Sequence, residues 1–493
     1  MIRTSRRVPP AFALTAAALA LLAGCSRVPP VPPPVVLVVI DTLRADHLEC
    51  YGYGRVTSPA LCGLAREGVL FERAYATRTE TVPAISSILT GLYPPLHGVR
   101  ANYSVLPEGV ATIAELLRAA GYATGGFVSS FVMIRDFSGF AQGFAVYDDH
   151  VRSPEGLREN YERPAPETVD RALAWIAGAG ARPFLFVHLI EPHGPYNPPQ
   201  RFLEKMALPR AGERVPLERI PSSQRLPGVE FVSEFVGRYD GEIASADAEL
   251  GRLFEHLRAS GRFDESLIVV TADHGESLGE GDVWFSHGER LDDPQARVPL
   301  IVKLPAGTGR VAPGTRVAEP VSAVDIVPTI LAAVGAPPPA EPLSGTDLLP
   351  VARGQRRPGA PPLTERVSRQ DLRVMAHDRD CAVHWTIPRR PAPGAARWTE
   401  AVSAVAVEPS EAGEPCKERL ARVSFERVRD ALALAPRFPV TRRTDVLKPG
   451  GKTEFIDARE GAAADAAANG PAAPEVPIDA RDREALRALG YAE

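Results

Sequence analysis

The feature that most constrains this chain is a regular alternation of short, almost wholly apolar runs with segments of helical spacing. Val35–Ile40, Thr124–Val128, Phe184–Leu189, Leu267–Thr271 and Val298–Val302 are bounded by turn-forming residues and carry no polar alternation, the pattern of strands buried on both faces. Between them, Ala111–Ala120, Thr168–Ala177 and Ser233–Ala259 repeat apolar residues at helical spacing. The order predicts an α/β fold with a mostly parallel central sheet and helices on both faces. A Pro- and Gly-rich stretch, Ala336–Pro362, sets off residues 363–493, expected to form a small C-terminal α+β subdomain. The main unit is expected over residues 35–350, and no internal repeat is present.

The N-terminus carries Arg3, Arg6 and Arg7, an apolar stretch from Ala11 to Leu22, and then Leu22-Ala23-Gly24-Cys25. The apolar stretch is too short to span a bilayer, and the three regions have the order of an export leader over residues 1–24. Cys25 after Leu-Ala-Gly resembles the bacterial lipobox. That resemblance implies a lipidated Cys25 as mature N-terminus, a membrane partner, and a periplasmic location, with Ser26 favouring the outer over the inner membrane. Residues 25–34, with five prolines, read as a stiff tether. Removal of the three leader arginines takes the formal charge from −5 to −8, which argues against nucleic acid as a partner. Cys50, Cys62, Cys381 and Cys416 remain, and in an oxidising compartment they are expected to pair as Cys50–Cys62 and Cys381–Cys416, each within one unit.

Ligands of open parallel sheets gather beyond the carboxyl ends of the strands. Asp41 follows the first apolar run, His188 and His193 accompany the third, and Asp273 and His274 follow the fourth. Any single Asp there is ordinarily a turn former, whereas several strand ends converging on one edge describe a site. Thr81-Val82-Pro83-Ala84 opens a helix that stops at Gly91. Locally, Thr81 reads as an N-cap, and the amides and positive dipole end at such a start attract anions.

The segments Ile40-Asp41-Thr42-Leu43-Arg44-Ala45-Asp46-His47 with Tyr51-Gly52-Tyr53-Gly54, Thr81 to Gly91 with Leu92-Tyr93-Pro94 and His97-Gly98-Val99, Val187-His188 with Glu191-Pro192-His193-Gly194-Pro195-Tyr196, Thr271-Ala272-Asp273-His274-Gly275-Glu276, Ser286-His287-Gly288 and Arg297-Val298-Pro299-Leu300 resemble, in the same order, the motifs of the sulfatase family within the alkaline phosphatase superfamily. The similarity spans roughly residues 35–350 and returns in the closing Leu486-Arg487-Ala488-Leu489-Gly490-Tyr491. It implies a hydrolase of sulfate or phosphate esters. Asp41, Thr81, Asp273 and His274 would hold one divalent cation (Zn, Mn, Ca or Mg), with room for a second, and Asp46 and His47 would be structural. His193 and His287 would bind the anionic ester oxygens or assist the leaving group, the substrate being an anionic ester such as one on a glycan or lipid head group.

The departures from the family pattern redirect the chemistry. Formylglycine sulfatases need Cys or Ser at the place of Thr81 and Arg at the place of Ile85; Thr42 replaces the second Asp of a pair, and Ser129 and Ser130 stand where a lysine is expected. The aldehyde-hydrate route is therefore closed, and the resemblance implies an ordinary Thr81 nucleophile, as in phosphodiesterases and phosphoethanolamine or glycerophosphate transferases of the superfamily. A non-catalytic lipoprotein that binds an envelope partner is the reading from a different class.

Overall fold

Six aliphatic residues in succession, Val35–Ile40, form strand β1 at the centre of the sheet, and all six are buried. A computed structural model describes residues 32–408 apart from 152, 155–160, 307–310, 359–360, 368–370, 379–381 and 389–402. After β1 come β2 (Val69–Tyr75), β3 (Ala123–Phe127), β4 (Val146–Asp148), β5 (Pro183–Leu189), β6 (Leu267–Ala272), β7 (Arg297–Lys303), β8 (Thr315–Val317) and β9 (Val321–Ser322). They make one sheet in the order β8-β2-β7-β6-β1-β5-β3-β4, with β9 also pairing β2. Every pairing is parallel except those of β7, which runs antiparallel to both β2 and β6. The mostly parallel sheet is thus as expected, with one reversed strand.

Helices α1 (Pro59–Glu67), α2 (Thr81–Thr90), α3 (Ile113–Ala119), α4 (Ala165–Gly178), α5 (Val232–Ala259) and α6 (Ile326–Val334) flank this sheet. Helix α3 opens with a capping box between Thr112 and Glu115. The ten residues of α2 are all buried, so its position is fixed from every side. At its C-terminus, Gly91 adopts φ +70°, a conformation that favours glycine, and its carbonyl accepts the amide of Ser344 at 2.9 Å. The Pro- and Gly-rich stretch after residue 336 is therefore docked onto α2. Arg357 beyond it pairs with the buried Asp325 at 2.8 Å.

Of the C-terminal part, the described residues show a four-stranded antiparallel meander: β10 (Leu363–Val367), β11 (Asp371–His377), β12 (Ala382–Pro388) and β13 (Ser403–Glu408). Its first strand is bonded to the segment leading into α2. The Thr364 hydroxyl donates to Ala76 O at 2.6 Å, the Glu365 amide to Thr77 O at 2.9 Å, and Tyr75 stacks on His377 with ring centroids 3.6 Å apart. Cys50 and Cys62 form the expected disulfide, tying the loop after β1 to α1. The Cys381–Cys416 pair, the leader and tether of residues 1–31, and the C-terminal subdomain beyond residue 408 lie outside the described residues.

Candidate active site

The parallel strands β1, β5 and β6 lie side by side in register, so their carboxyl ends open on one edge. Asp41 leaves β1 there, its amide bonded to Leu189 O of β5 at 2.9 Å. Thr42 follows at φ 55°, unusual for a β-branched residue and worth about 1–3 kcal/mol of strain. Two long-range bonds hold it: Thr42 N donates to Asp273 Oδ1 at 3.2 Å, and Tyr239 of α5 donates its hydroxyl to Thr42 O at 2.7 Å. The same Asp273 oxygen accepts the His274 amide at 2.7 Å, while Oδ2 has no hydrogen-bond donor among the described residues and stands 3.4 Å from His274 Nε2. His274 Nδ1 donates to Gly275 O at 2.9 Å, which turns the Nε2 lone pair toward the carboxylates. Burial lowers the His274 pKa, keeping the ring neutral against the pull of Asp273.

Asp41, Asp273 and His274 are all buried and can place one ligand atom each within 4.8 Å of the others. Among the described residues no Lys or Arg pairs with Asp273. A buried carboxylate with an oxygen that nothing donates to, facing a neutral imidazole, is the donor chemistry of a divalent cation site, and the residues present fit one.

Thr81 reaches this group from α2, its Oγ1 3.5 Å from His274 Nε2. Two sequence expectations change here. The N-cap of α2 is Glu80, not Thr81; Thr81 is the first helical residue and its hydroxyl is not engaged in capping. Nor is the helix start an open cradle of amides: Val82 N donates to Asn102 Oδ1 at 2.9 Å, Pro83 has no N–H, and Ala84 N is bonded to Glu80 O. Four residues along, Ile85 is fully buried in the core, so the position where an arginine is expected beneath the nucleophile is apolar.

Outward from the carboxylates, His274, His287 and His193 form a row, with ring centroids 4.5 Å apart in the first pair and 5.1 Å in the second. His287 Nδ1 lies 3.1 Å from the buried Glu276. Its burial would lower its pKa, but Glu276, Asp273 and Glu80 outweigh that and raise it. His193 Nδ1 donates to Gly194 O at 2.7 Å. A Cβ at Gly194 would lie 2.0 Å from Gln224 Oε1, so a larger residue would have to displace that side chain. All six residues expected at the site are therefore gathered at one edge. Asp46 and His47 are turned away, Asp46 to Arg44 and His47 to Asp240 at 2.8 Å, in structural pairs.

Sequence reasoning gave no role to His188, which is the penultimate residue of β5 and not part of the loop after it. It is fully buried 3.7 Å from Asp41 Oδ2, and burial drives its pKa down to about 4. A lone imidazole within an otherwise apolar run was the available signal. Glu276, which orients His287, was quoted only as the end of a motif and given no role, and Asn102, which holds the start of α2, left no signal.

A sulfatase family model matches residues 33–336. The uncharacterized sulfatase YidJ of Escherichia coli is 25% identical over 65% of this chain and 71% of its own length, and the choline-sulfatase of Rhizobium meliloti 26% identical over 66% and 72%. Among solved structures, a phosphonate monoester hydrolase of Agrobacterium radiobacter superposes with a TM-score of 0.62 at 21% identity, over 82% of this chain and 95% of that one. The chain belongs to the sulfatase family of the alkaline phosphatase superfamily, a class of ester hydrolases.

Proposed function

We propose that this protein is a metal-dependent hydrolase in which Thr81 is the nucleophile, acting on phosphate or phosphonate esters in preference to sulfate esters. The observation that carries this reading is the Thr81 hydroxyl, released from capping and set 3.5 Å from the imidazole of a buried Asp41, Asp273 and His274 group. Asp41, Thr81, Asp273 and His274 would hold the cation. When bound, it supplies positive charge that favours the ionised threonine and offsets the two carboxylates an anionic ester must approach. The Thr81 oxygen attacks phosphorus, the bond to the ester oxygen breaks, and the departing oxygen takes a proton from His287, whose pKa Glu276 helps to raise. Water then attacks the phosphorylated Thr81, giving its proton back to His287. With the amides of Val82 and Ala84 already engaged, His193 and His287 would bind the ester's anionic oxygens.

A sulfated threonine lacks the elimination route of a formylglycine hemiacetal, which is why sulfate is the poorer substrate for this residue set. Relatives support both ester types: beside the choline-sulfatase stands a multifunctional alkaline phosphatase superfamily protein of Trinickia caryophylli, 27% identical over 64% of this chain. An alcohol in place of that water would make the enzyme a transferase. The leader, Cys25 and the proline tether support a lipid-anchored enzyme on the periplasmic side of the bacterial envelope, where glycans and lipid head groups are the esters within reach. Among the described residues no helix is long and apolar enough to cross a membrane.

Trapping the intermediate decides the chemistry. After incubation with a slow aryl phosphonate or phosphodiester and acid quench, peptide mass analysis should find the added phosphoryl group on Thr81. Modification elsewhere, or sulfate-ester turnover far above phosphorus-ester turnover with Thr81 unmodified, would overturn the reading.

A further inference from the structure

His188 lies in β5 among Phe184, Leu185, Phe186, Val187 and Leu189, all fully buried, and it is itself fully buried. Neither of its ring nitrogens has a hydrogen-bond partner among the described residues. Leaving a buried donor or acceptor unsatisfied costs about 1–3 kcal/mol, and the large majority of buried polar atoms in native proteins are paired. Its register partner on β1 is the fully buried Val39, so an aliphatic residue would satisfy the packing at no such cost.

Its surroundings explain the choice. Nε2 stands 3.7 Å from Asp41 Oδ2. Within the site the other donor separations are 3.4 Å for His274 Nε2 to Asp273 Oδ2, 3.5 Å for Thr81 Oγ1 to His274 Nε2, and 3.9 Å for His274 Nε2 to Asp41 Oδ1. Two donors sharing one ion at about 2.1 Å stand roughly 3.0–3.4 Å apart, so the His274–Asp273 pair already fits and the other three, His188–Asp41 among them, need only small closures. His188 meets one oxygen of Asp41 while His274 meets the other.

We propose that His188 Nε2 is a further ligand of the divalent cation, placing a second imidazole beside Asp41 across from His274. The inference rests on the metal reading above and deepens it. A set with two imidazoles suits zinc and disfavours calcium and magnesium, which take oxygen donors.

The test uses the full chain with metal removed, as wild type, His188→Leu and His188→Gln. Zinc and calcium affinities are measured by competition with a chromogenic chelator, thermal shift is followed with and without zinc, and the visible spectrum is recorded with cobalt in place of zinc. Wild type should bind zinc at least about a hundredfold more tightly than calcium. Both variants should lose about tenfold or more of zinc affinity, show a smaller zinc-induced rise in Tm, and give an altered cobalt spectrum. Metal-free His188→Leu should be at least as stable as wild type, and His188→Gln keeps a polar group in place should leucine prevent folding. Variants that bind zinc with wild-type affinity and spectrum would overturn the role of His188 alone. A wild type that binds neither metal would overturn the metal reading along with it.

Discussion

Thr81 Oγ1 lies 3.5 Å from His274 Nε2 although 193 positions separate the two residues, one at the start of a helix and the other just past a central strand. Thr81→Ala removes the attacking oxygen without removing a cap. Turnover of a phosphodiester should fall by about a thousandfold or more, while Tm corresponds to a stability change of about 1 kcal/mol or less. Thr81→Ser should keep measurable activity. Steady-state kinetics and thermal melts on the same preparations check both.

Asp273 joins two tasks, accepting the amides of Thr42 and His274 through Oδ1 and facing His274 Nε2 with Oδ2. Asp273→Asn keeps an amide acceptor but loses the charge. The chain should fold, yet retain far less metal than wild type after dialysis, as read by elemental analysis; unchanged metal content would remove Asp273 from the ligand set.

Glu276 is the carboxylate nearest the ring of His287, whose pKa it helps to raise against the opposing effect of burial. Activity that needs the protonated imidazole persists up to that raised value and declines above it. Glu276→Gln should therefore move the alkaline limb of kcat against pH to lower pH, with little change in metal content. A profile that keeps its alkaline limb would show that His287 is not the proton donor.

His97 links the back of α2 to the loop that carries Asn102. Its Nε2 donates to Ser87 Oγ at 3.0 Å, and its Nδ1 accepts the Val99 amide at 3.1 Å. Burial, reinforced by Arg100 and Arg78, drives its pKa down to about 3. Because the folded value lies below the unfolded one of about 6.5, this contribution is fully present above pH 6.5 and is lost as pH falls toward 3. Stability should drop by on the order of 4 kcal/mol across that window from this residue alone. Urea melts at intervals of pH should show a shallower decline for His97→Gln.

The strands that surround the site were legible in the sequence because they are buried on both faces and so lack polar residues; β1, β5 and β6 match the apolar runs to within a residue. Strand β2 escaped because Glu72 and Arg73 interrupt its apolar run near the edge of the sheet. The reversal of β7 was invisible, since composition records burial and not chain direction. Asp41, Asp273, His274 and Thr81 could be named from ordered motifs. Their supports could not: Tyr239 reaches Thr42 from 197 residues away, and the dipeptide pattern around Thr81 reads as a cap until the backbone shows Glu80 in that place.

The bond from Thr364 to Ala76 O joins residues 288 positions apart, directly ahead of the nucleophile. A chain made from its N-terminus has Thr81 long before it has the strand that braces the approach to it, and contacts of such span form late. An unfinished chain would thus hold its reactive hydroxyl on an unbraced segment. Competence would arrive only once the strand that carries Thr364 has been made and docked, a delay that keeps an ester-cleaving centre silent while the chain is being built.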